Sequence, residues 1–266
     1  MKDFTLIAYR ELLIALKNAG YSFYTFEEWC DGKAKGKYVI LRHDVDNKPL
    51  NALKLSILEA EQGLSATYYF RTSKRILHPD LIKEIASLGH EIGYHYRDLV
   101  DASGNAEKAI KSFHSNLLKL RSVANIRTIS MDGCPWSKYD NRDLWKANNY
   151  RDFGIVGEPY FDLLNSKLIG ENKVQYFTDT ARMWDGDKYN VRDKAIFPFS
   201  LGSESRSEVV HSTFDFIEKL STNTMVNNMM ITTHPQRWTD NKVEWTQELI
   251  MQSLKNRLKQ LLIRFR

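Results

Sequence analysis

The stretch YVILRHDVDN, residues 38–47, decides how this sequence is interpreted. It begins as an apolar run that is typical of a buried strand, and it ends in polar residues that include Asp44 and Asp46. Side chains of an extended chain alternate between two faces, so these two carboxylates point the same way. Neighbouring buried carboxylates repel each other unless a cation compensates their charge. The stretch therefore predicts a strand that ends at a divalent metal.

Strand-like and helix-like segments alternate along the rest of the chain. The segment LNALKLSILEAEQG (50–63) has helical periodicity, ATYYF (66–70) is strand-like, and PDLIKEIASLG (79–89) starts with Pro and ends with Gly as helices do. FGIV (153–156) is a further strand candidate. This alternation predicts a mainly parallel α/β sheet, open or closed into a barrel, in one domain covering residues 1–266.

Composition excludes several classes of protein. The net charge is +5, but the basic residues are spread, and the C-terminal KNRLKQLLIRFR is typical of an amphipathic helix with a solvated basic face. Cys30 and Cys134 are too few and too far apart for a disulfide framework. The amino-terminal segment is amphipathic rather than a secretion signal, and no apolar run is long enough to cross a membrane. We expect a cytoplasmic protein with no nucleic-acid partner and no membrane span. Its oligomeric state stays open.

Polar residues follow five of the strand-like segments. The carboxyl ends of parallel strands share one edge of a sheet, which is where parallel-sheet enzymes carry out their chemistry. An imidazole together with carboxylates is the mixed ligand set of catalytic zinc, and Pro235 keeps the residue before it extended toward such a pocket. The strand-end residues are Asp44 with Asp46, His95, Asp132, Asp179 and His234.

A simpler interpretation is that Asp44 and Asp46 cap the helix that begins near Pro49, a role that Asn47 could share. A cap needs only one acceptor, however, which leaves the second carboxylate and Arg42 unexplained. We therefore prefer the metal interpretation.

The ordered segments LRHDVD, TYYFR, GHEIGYH, TDTARMW and TTHP, spread over residues 38–238, resemble the NodB-homology polysaccharide deacetylases. The likeness is to a divergent cytoplasmic branch associated with bacterial surface-polysaccharide gene clusters. It implies a distorted (β/α) barrel with one divalent metal, usually zinc. It also implies removal of an acetyl group from an N-acetylated sugar or sugar conjugate, here in the biosynthesis of O-antigen, capsule or lipopolysaccharide.

The resemblance also implies roles for individual residues. Asp44 matches the catalytic base and Asp46 a metal ligand, although Val45 separates two residues that are adjacent in the family. His234 matches the acid that protonates the leaving amine, and Asp179 an aspartate that orients catalytic groups.

His95 matches the first ligand histidine, but Leu99 stands where the second is expected. Asp132 is the preferred third ligand, and Asp98 is the alternative.

Substrate contacts complete the assignment. Trp184 matches the wall of the acetyl pocket, Trp136 offers a stacking surface, and Arg71 and Tyr94 are also assigned to substrate binding. The family's arginine has no clean counterpart, and Arg182 or Arg71 could pair with the catalytic base.

The reaction that follows from these assignments is metal-assisted amide hydrolysis. Three other interpretations stay open. A glycosyltransferase with a DxD motif would leave His95 and His234 without a role. An aspartyl phosphatase with the pattern DxDx[TV] would have Thr or Val at position 48, where this chain has Lys. The third is a sugar-binding relative that has lost its metal, which the missing histidine and arginine favour.

Overall fold

The computed structural model describes residues 2–164, 174–189 and 209–264. The strands are β1 (Ser22–Tyr24), β2 (Tyr38–Val45), β3 (Thr67–Phe70), β4 (Glu91–Tyr96), β5 (Ile126–Met131), β6 (Gln175–Thr178) and β7 (Asn228–Thr233). The helices are α1 (Leu6–Asn18), α2 (Phe26–Cys30), α3 (Pro49–Glu61), α4 (Pro79–Ser87), α5 (Asp98–Asp101), α6 (Ala106–Arg121), α7 (Pro159–Asp162), α8 (Thr213–Ser221) and α9 (Lys242–Arg264).

The seven described strands form one sheet, in which six follow the order β5-β4-β3-β2-β7-β6 and β1 pairs with β2. All of these pairings are parallel. Strand β2 lies in the middle, with β7 along one side and β1 followed by β3 along the other. The α/β class and the parallel sheet are thus confirmed. The barrel stays a prediction, because the described strands pair in an open order. Within the described ranges, no helix combines the length and the apolar character that crossing a bilayer requires.

One local expectation was wrong. The strand predicted at 153–156 is absent, because Tyr150–Phe153 forms a 3₁₀ turn that ends at Gly154 in the left-handed conformation, with φ +70°. The aromatic segment before β2 contains strand β1 and helix α2, which are both very short.

All eight residues of β2 are buried, and their side chains alternate between two environments. On the face turned to α3, the imidazole of His43 stacks on the ring of Tyr68, and its Nε2 lies 2.7 Å from the Glu59 carboxylate. That carboxylate also accepts hydrogen bonds from the hydroxyls of Tyr68 and Tyr9. This buried network ties α1 and α3 to the centre of the sheet. The opposite face of β2 is left for Arg42 and Asp44.

A second buried carboxylate, that of Glu91, lies at the amino-terminal end of β4. Its Oε2 accepts hydrogen bonds from the Thr67 hydroxyl at 2.7 Å and from the Glu27 backbone N–H at 2.8 Å, and its Oε1 accepts one from the Thr128 hydroxyl. Burial is the largest influence and raises the pKa of Glu91 to about 7, against the lowering effect of these hydrogen bonds.

The raised pKa makes a prediction about stability. The ordinary pKa of a glutamate is 4.5. The stabilisation due to Glu91 is therefore full below about pH 4.5 and is lost as pH rises through 7. We expect the unfolding free energy of the wild type to fall by up to about 3 kcal/mol over this range. The Glu91→Gln variant should not show this fall, because it has no carboxyl group to ionise. Urea unfolding at pH 5, 6, 7 and 8 measures this. The exposed Glu84→Gln is the control, and a parallel pH profile for the wild type and Glu91→Gln would contradict the prediction.

Candidate functional site

The carboxyl ends of five strands line one cavity of about 930 Å³. Asp44 is the penultimate residue of β2, and Asp46 lies just beyond that strand. Arg71 and Asp132 come directly after β3 and β5, and His95 lies near the end of β4. His234 follows β7. The structure therefore brings together residues that are up to about 190 positions apart, as parallel strand topology requires.

Asp44 is held by an arginine that the sequence analysis did not assign. Arg42 donates from Nε to Asp44 Oδ1 at 2.9 Å and from Nη2 to Oδ2 at 2.8 Å, and both residues are buried. The guanidinium also lies over the rings of Tyr69 and Tyr160, 5.5 and 5.1 Å from their centroids. Residues two apart in a strand share a face, and that spacing could have identified the pair. Arg182, the earlier candidate, donates instead to the Trp245 carbonyl oxygen.

The structure contains a group of three residues that could hold a metal, namely Asp46, His95 and Asp132, whose ligand atoms all lie within 4.8 Å of one another. His95 Nδ1 lies 3.1 Å from the carbonyl oxygen of Ser130, which can only accept, so Nδ1 carries the proton. Nε2 is therefore turned toward the carboxylates, 3.4 Å from Asp46 Oδ1. This arrangement is the usual one for a metal-binding imidazole.

Arg71 lies between the two carboxylates of this group. Its Nη2 is 2.5 Å from Asp46 Oδ1 and 2.7 Å from Asp132 Oδ2, yet neither oxygen, although buried, has a correctly oriented hydrogen bond. Burial alone would raise the pKa of Asp46, but Arg71 and His95 lower it well below its usual range. Two buried carboxylate oxygens without a hydrogen bond, together with the Nε2 of His95 beside them, fit a zinc-type ligand set.

Asp98, the alternative third ligand, is used elsewhere. Its carboxylate accepts hydrogen bonds from Ser112 Oγ at 2.7 Å, Asn116 Nδ2 at 2.8 Å and the Tyr94 hydroxyl at 2.6 Å, which fix the start of α5 against α6. Asp132 therefore belongs to the metal group and Asp98 does not. The assignment of Tyr94 to substrate binding is wrong. Tyr94 precedes His95 in β4, so its ring faces away from the cavity and packs on Phe113.

His234 is oriented by Asp179, which follows β6. His234 Nδ1 lies 2.6 Å from Asp179 Oδ1 and 2.8 Å from Arg237 Nη1. The two protons of Arg237 Nη1 are directed at the carbonyl and carboxylate oxygens of Asp179, and an ionised carboxylate only accepts, so Nδ1 carries the proton and Nε2 faces the cavity. The carboxylate also accepts from Arg237 Nη1 and from Trp238 Nε1, two residues that were not predicted. Burial would raise the pKa of Asp179, but Arg237 and His234 lower it to about 2. Asp179 therefore stays ionised at neutral pH.

The two tryptophans assigned to substrate binding lie in different surroundings. Trp136 is 53% exposed and lines the cavity. Trp184 is buried, donates from Nε1 to the Thr213 hydroxyl at 3.0 Å, and packs edge-on against Phe216. It does not line the cavity, so its assignment as a pocket wall is wrong. This correction depends on packing against α8, which no local pattern shows.

The helix-capping interpretation of the two aspartates is also excluded. The residue that caps α3 is Lys48, and it makes no side-chain hydrogen bond to the first turn. Asp44 pairs with Arg42, and Asp46 faces His95 and Arg71, so neither carboxylate stabilises the start of the helix.

The buried pair of Arg42 and Asp44 makes a prediction about coupling. Arg42→Met leaves a buried carboxylate without its partner, and we expect it to lower the free energy of unfolding by about 3–5 kcal/mol. The double variant Arg42→Met/Asp44→Asn should lose less than the sum of the two single variants, because it removes both charges. Urea unfolding of the four proteins measures the coupling. Arg10→Met, which breaks an exposed pair with Glu61, is the control and should change little.

Comparison with known proteins gives no family for this chain. Models of known protein families do not match it, and no curated protein matches it either. The resemblance to NodB-homology deacetylases therefore stays a prediction from the motifs quoted above.

Proposed function

We propose that this protein is a metal-dependent hydrolase that removes the acetyl group from an N-acetylated sugar, in the synthesis of a bacterial surface polysaccharide and in the cytoplasm. One observation supports this most strongly. A carboxylate fixed by an arginine, an N/O ligand group and an imidazole fixed by a carboxylate all face one cavity. These are a base, a metal site and an acid, which amide hydrolysis requires together.

The ligand group is Asp46, His95 and Asp132, and the bound metal would polarise the acetamide carbonyl and acidify a water molecule. Asp44 is the base that accepts the proton of the attacking water. Arg42 occupies one lone pair on each oxygen of Asp44, which fixes the plane of the carboxylate and leaves lone pairs directed at the cavity.

His234 is the acid that protonates the departing nitrogen. Its Nδ1–H is held by Asp179, so Nε2 is the atom that gives its proton to the amine. The ionised Asp179 fixes the orientation of the His234 ring, as the carboxylate of a catalytic triad does. A DxD glycosyltransferase offers no role for an acid oriented in this way, and this geometry therefore favours hydrolysis.

Metal content tests the ligand assignment. We expect about one zinc per chain in the purified protein by inductively coupled plasma mass spectrometry, and little in Asp46→Asn, His95→Gln or Asp132→Asn. Asp98→Asn is the matched control and should keep its metal, because that carboxylate bonds to Ser112 and Asn116 instead. Circular dichroism confirms that each variant is folded. A wild type that takes up no zinc would refute the proposal.

Acetate release tests the catalytic roles. With N-acetylglucosamine conjugates as substrates, Asp44→Asn and His234→Asn should each lower kcat/KM at least about 100-fold while the metal content is unchanged. Unchanged rates would refute these assignments.

One observation favours a second candidate, a sugar-binding protein without a metal. Arg71 itself bridges Asp46 and Asp132 and could compensate their charge permanently. The two candidates predict opposite results for Arg71→Gln. If a metal belongs between the carboxylates, removing a competing cation should raise the affinity for zinc about tenfold or more.

Isothermal titration of zinc into metal-free wild type and Arg71→Gln measures that affinity. Arg10→Gln removes an exposed cation from α1 and is the matched control. If Arg71→Gln binds no zinc and is strongly destabilised, the guanidinium is the permanent partner and the sugar-binding protein is the better proposal.

A further inference from the structure

The mouth of the cavity differs in charge from its base. We define the mouth as six exposed or half-buried lining residues that are charged or aromatic: Arg75, Arg97, Trp136, Glu248, Lys255 and Lys259. Arg97 lies 2.8 Å from Asp101 and 3.6 Å from Asp132 and is compensated there. Arg75 and Lys255 outnumber the one carboxylate, Glu248, so this part of the mouth is positively charged among the described residues.

Among the described residues, neither Arg75 nor Lys255 lies within 4.0 Å of a carboxylate. They come from distant parts of the chain, the loop after β3 and helix α9, and yet line the same opening. An excess of charge in a concave surface with low-dielectric walls attracts ligands of opposite charge.

Helix α9 turns a stripe of polar and charged side chains toward the cavity. Glu248, Gln252, Lys255 and Lys259 follow one another at intervals of four, three and four residues, so they form one stripe, and all four line the cavity. Met251, Leu254, Leu258 and Leu261 form another stripe, and each is about half exposed.

A helix that merely covered the end of the sheet would turn its leucines inward. In α9 the polar stripe faces the cavity instead. This orientation is expected if the polar stripe contacts a polar ligand.

Trp136 adds an aromatic surface beside these cations. It lies in the loop after β5, is 53% exposed and lines the same cavity. An exposed indole stacks on the face of a sugar ring or a nucleobase. A cavity of about 930 Å³ is also large enough for a ligand with more than one sugar ring.

We propose that the substrate is an N-acetylated sugar that carries a phosphate or diphosphate group, and that Arg75 and Lys255 bind this group at the mouth of the cavity. The sugar then extends past Trp136 toward Asp44 and His234. The acetylated part of this substrate rests on the proposed function, whereas the phosphate part rests on the charge of the mouth alone. A diphosphate can be attached to a nucleoside or to a lipid, and both share the chemistry that the mouth recognises.

Binding to the full-length protein tests this inference without any need for turnover. Isothermal titration compares three probes: uridine diphosphate N-acetylglucosamine, a short-chain prenyl diphosphate N-acetylglucosamine, and neutral N-acetylglucosamine. We expect at least one diphosphate probe to bind about tenfold or more tightly than the neutral sugar, and the preference to weaken as salt increases. The tighter of the two diphosphate probes identifies the carrier. Equal binding of all three would overturn the inference.

Charge-removing variants locate the contact. Arg75→Gln and Lys255→Gln should each reduce the preference for the diphosphate probe over the neutral sugar about threefold to tenfold. Lys83→Gln removes an equivalent exposed charge from α4, outside the cavity, and should leave the preference as it is. If the variants at the mouth change the preference no more than Lys83→Gln does, the phosphate is not bound there.

Acetate assays on the same probes separate this inference from the proposed function. Tight, Lys255-dependent binding of a diphosphate sugar without acetate release would retain the inference and refute the deacetylase. Acetate released equally from neutral and diphosphate sugars, with no preference in binding, would retain the deacetylase and refute the inference.

Discussion

The site depends on one buried ion pair, that of Arg42 and Asp44. Removing two charges from water costs several kcal/mol for each ion, and only good geometry and further contacts offset that cost. Here the guanidinium makes two aligned hydrogen bonds to the carboxylate and lies over the rings of Tyr69 and Tyr160. Both charged residues belong to β2, the strand that borders β1, β3 and β7. The orientation of Asp44 is therefore fixed by the sheet rather than by a loop.

The other face of β2 fixes His234 relative to Asp44. His43, between the two charged residues, is paired in register with Thr233, and its Nδ1 lies 2.7 Å from the Thr233 hydroxyl. Thr233 immediately precedes His234, while His43 Nε2 contacts Glu59 of α3. One hydrogen-bonded network thus connects the strand that carries Asp44 to the strand that carries His234. A change in the register of these two strands would displace Asp44 and His234 together.

The sequence predicted what depends on local periodicity, and it failed where distant packing decides. The strand-like segment ATYYF (66–70) contains β3, and strand alternation correctly placed Asp44 and Asp46 toward one pocket. The same alternation turns Tyr94, the neighbour of His95, away from the pocket, so it argued against a substrate contact. It also places Arg42 on the face of Asp44, so it could have identified Arg42 as the partner of that carboxylate. No local signal could place Trp184 against α8, or show that the 3₁₀ turn Pro235–Arg237 returns an arginine to Asp179.

The carboxylates at the base of the cavity are compensated in two ways. Asp44 is compensated by Arg42, and Asp179 by Arg237, each through direct hydrogen bonds. Asp46 and Asp132 share Arg71 instead, and Arg97 Nη1 lies 3.6 Å from Asp132 Oδ2 while His95 Nε2 lies 3.4 Å from Asp46 Oδ1. Two buried carboxylates close together are costly unless cations or hydrogen-bond donors offset their repulsion. Asp46 follows β2 and Asp132 follows β5, and Arg71 and His95 come from the two strands between them, so the strand order itself places nitrogen atoms between the two carboxylates.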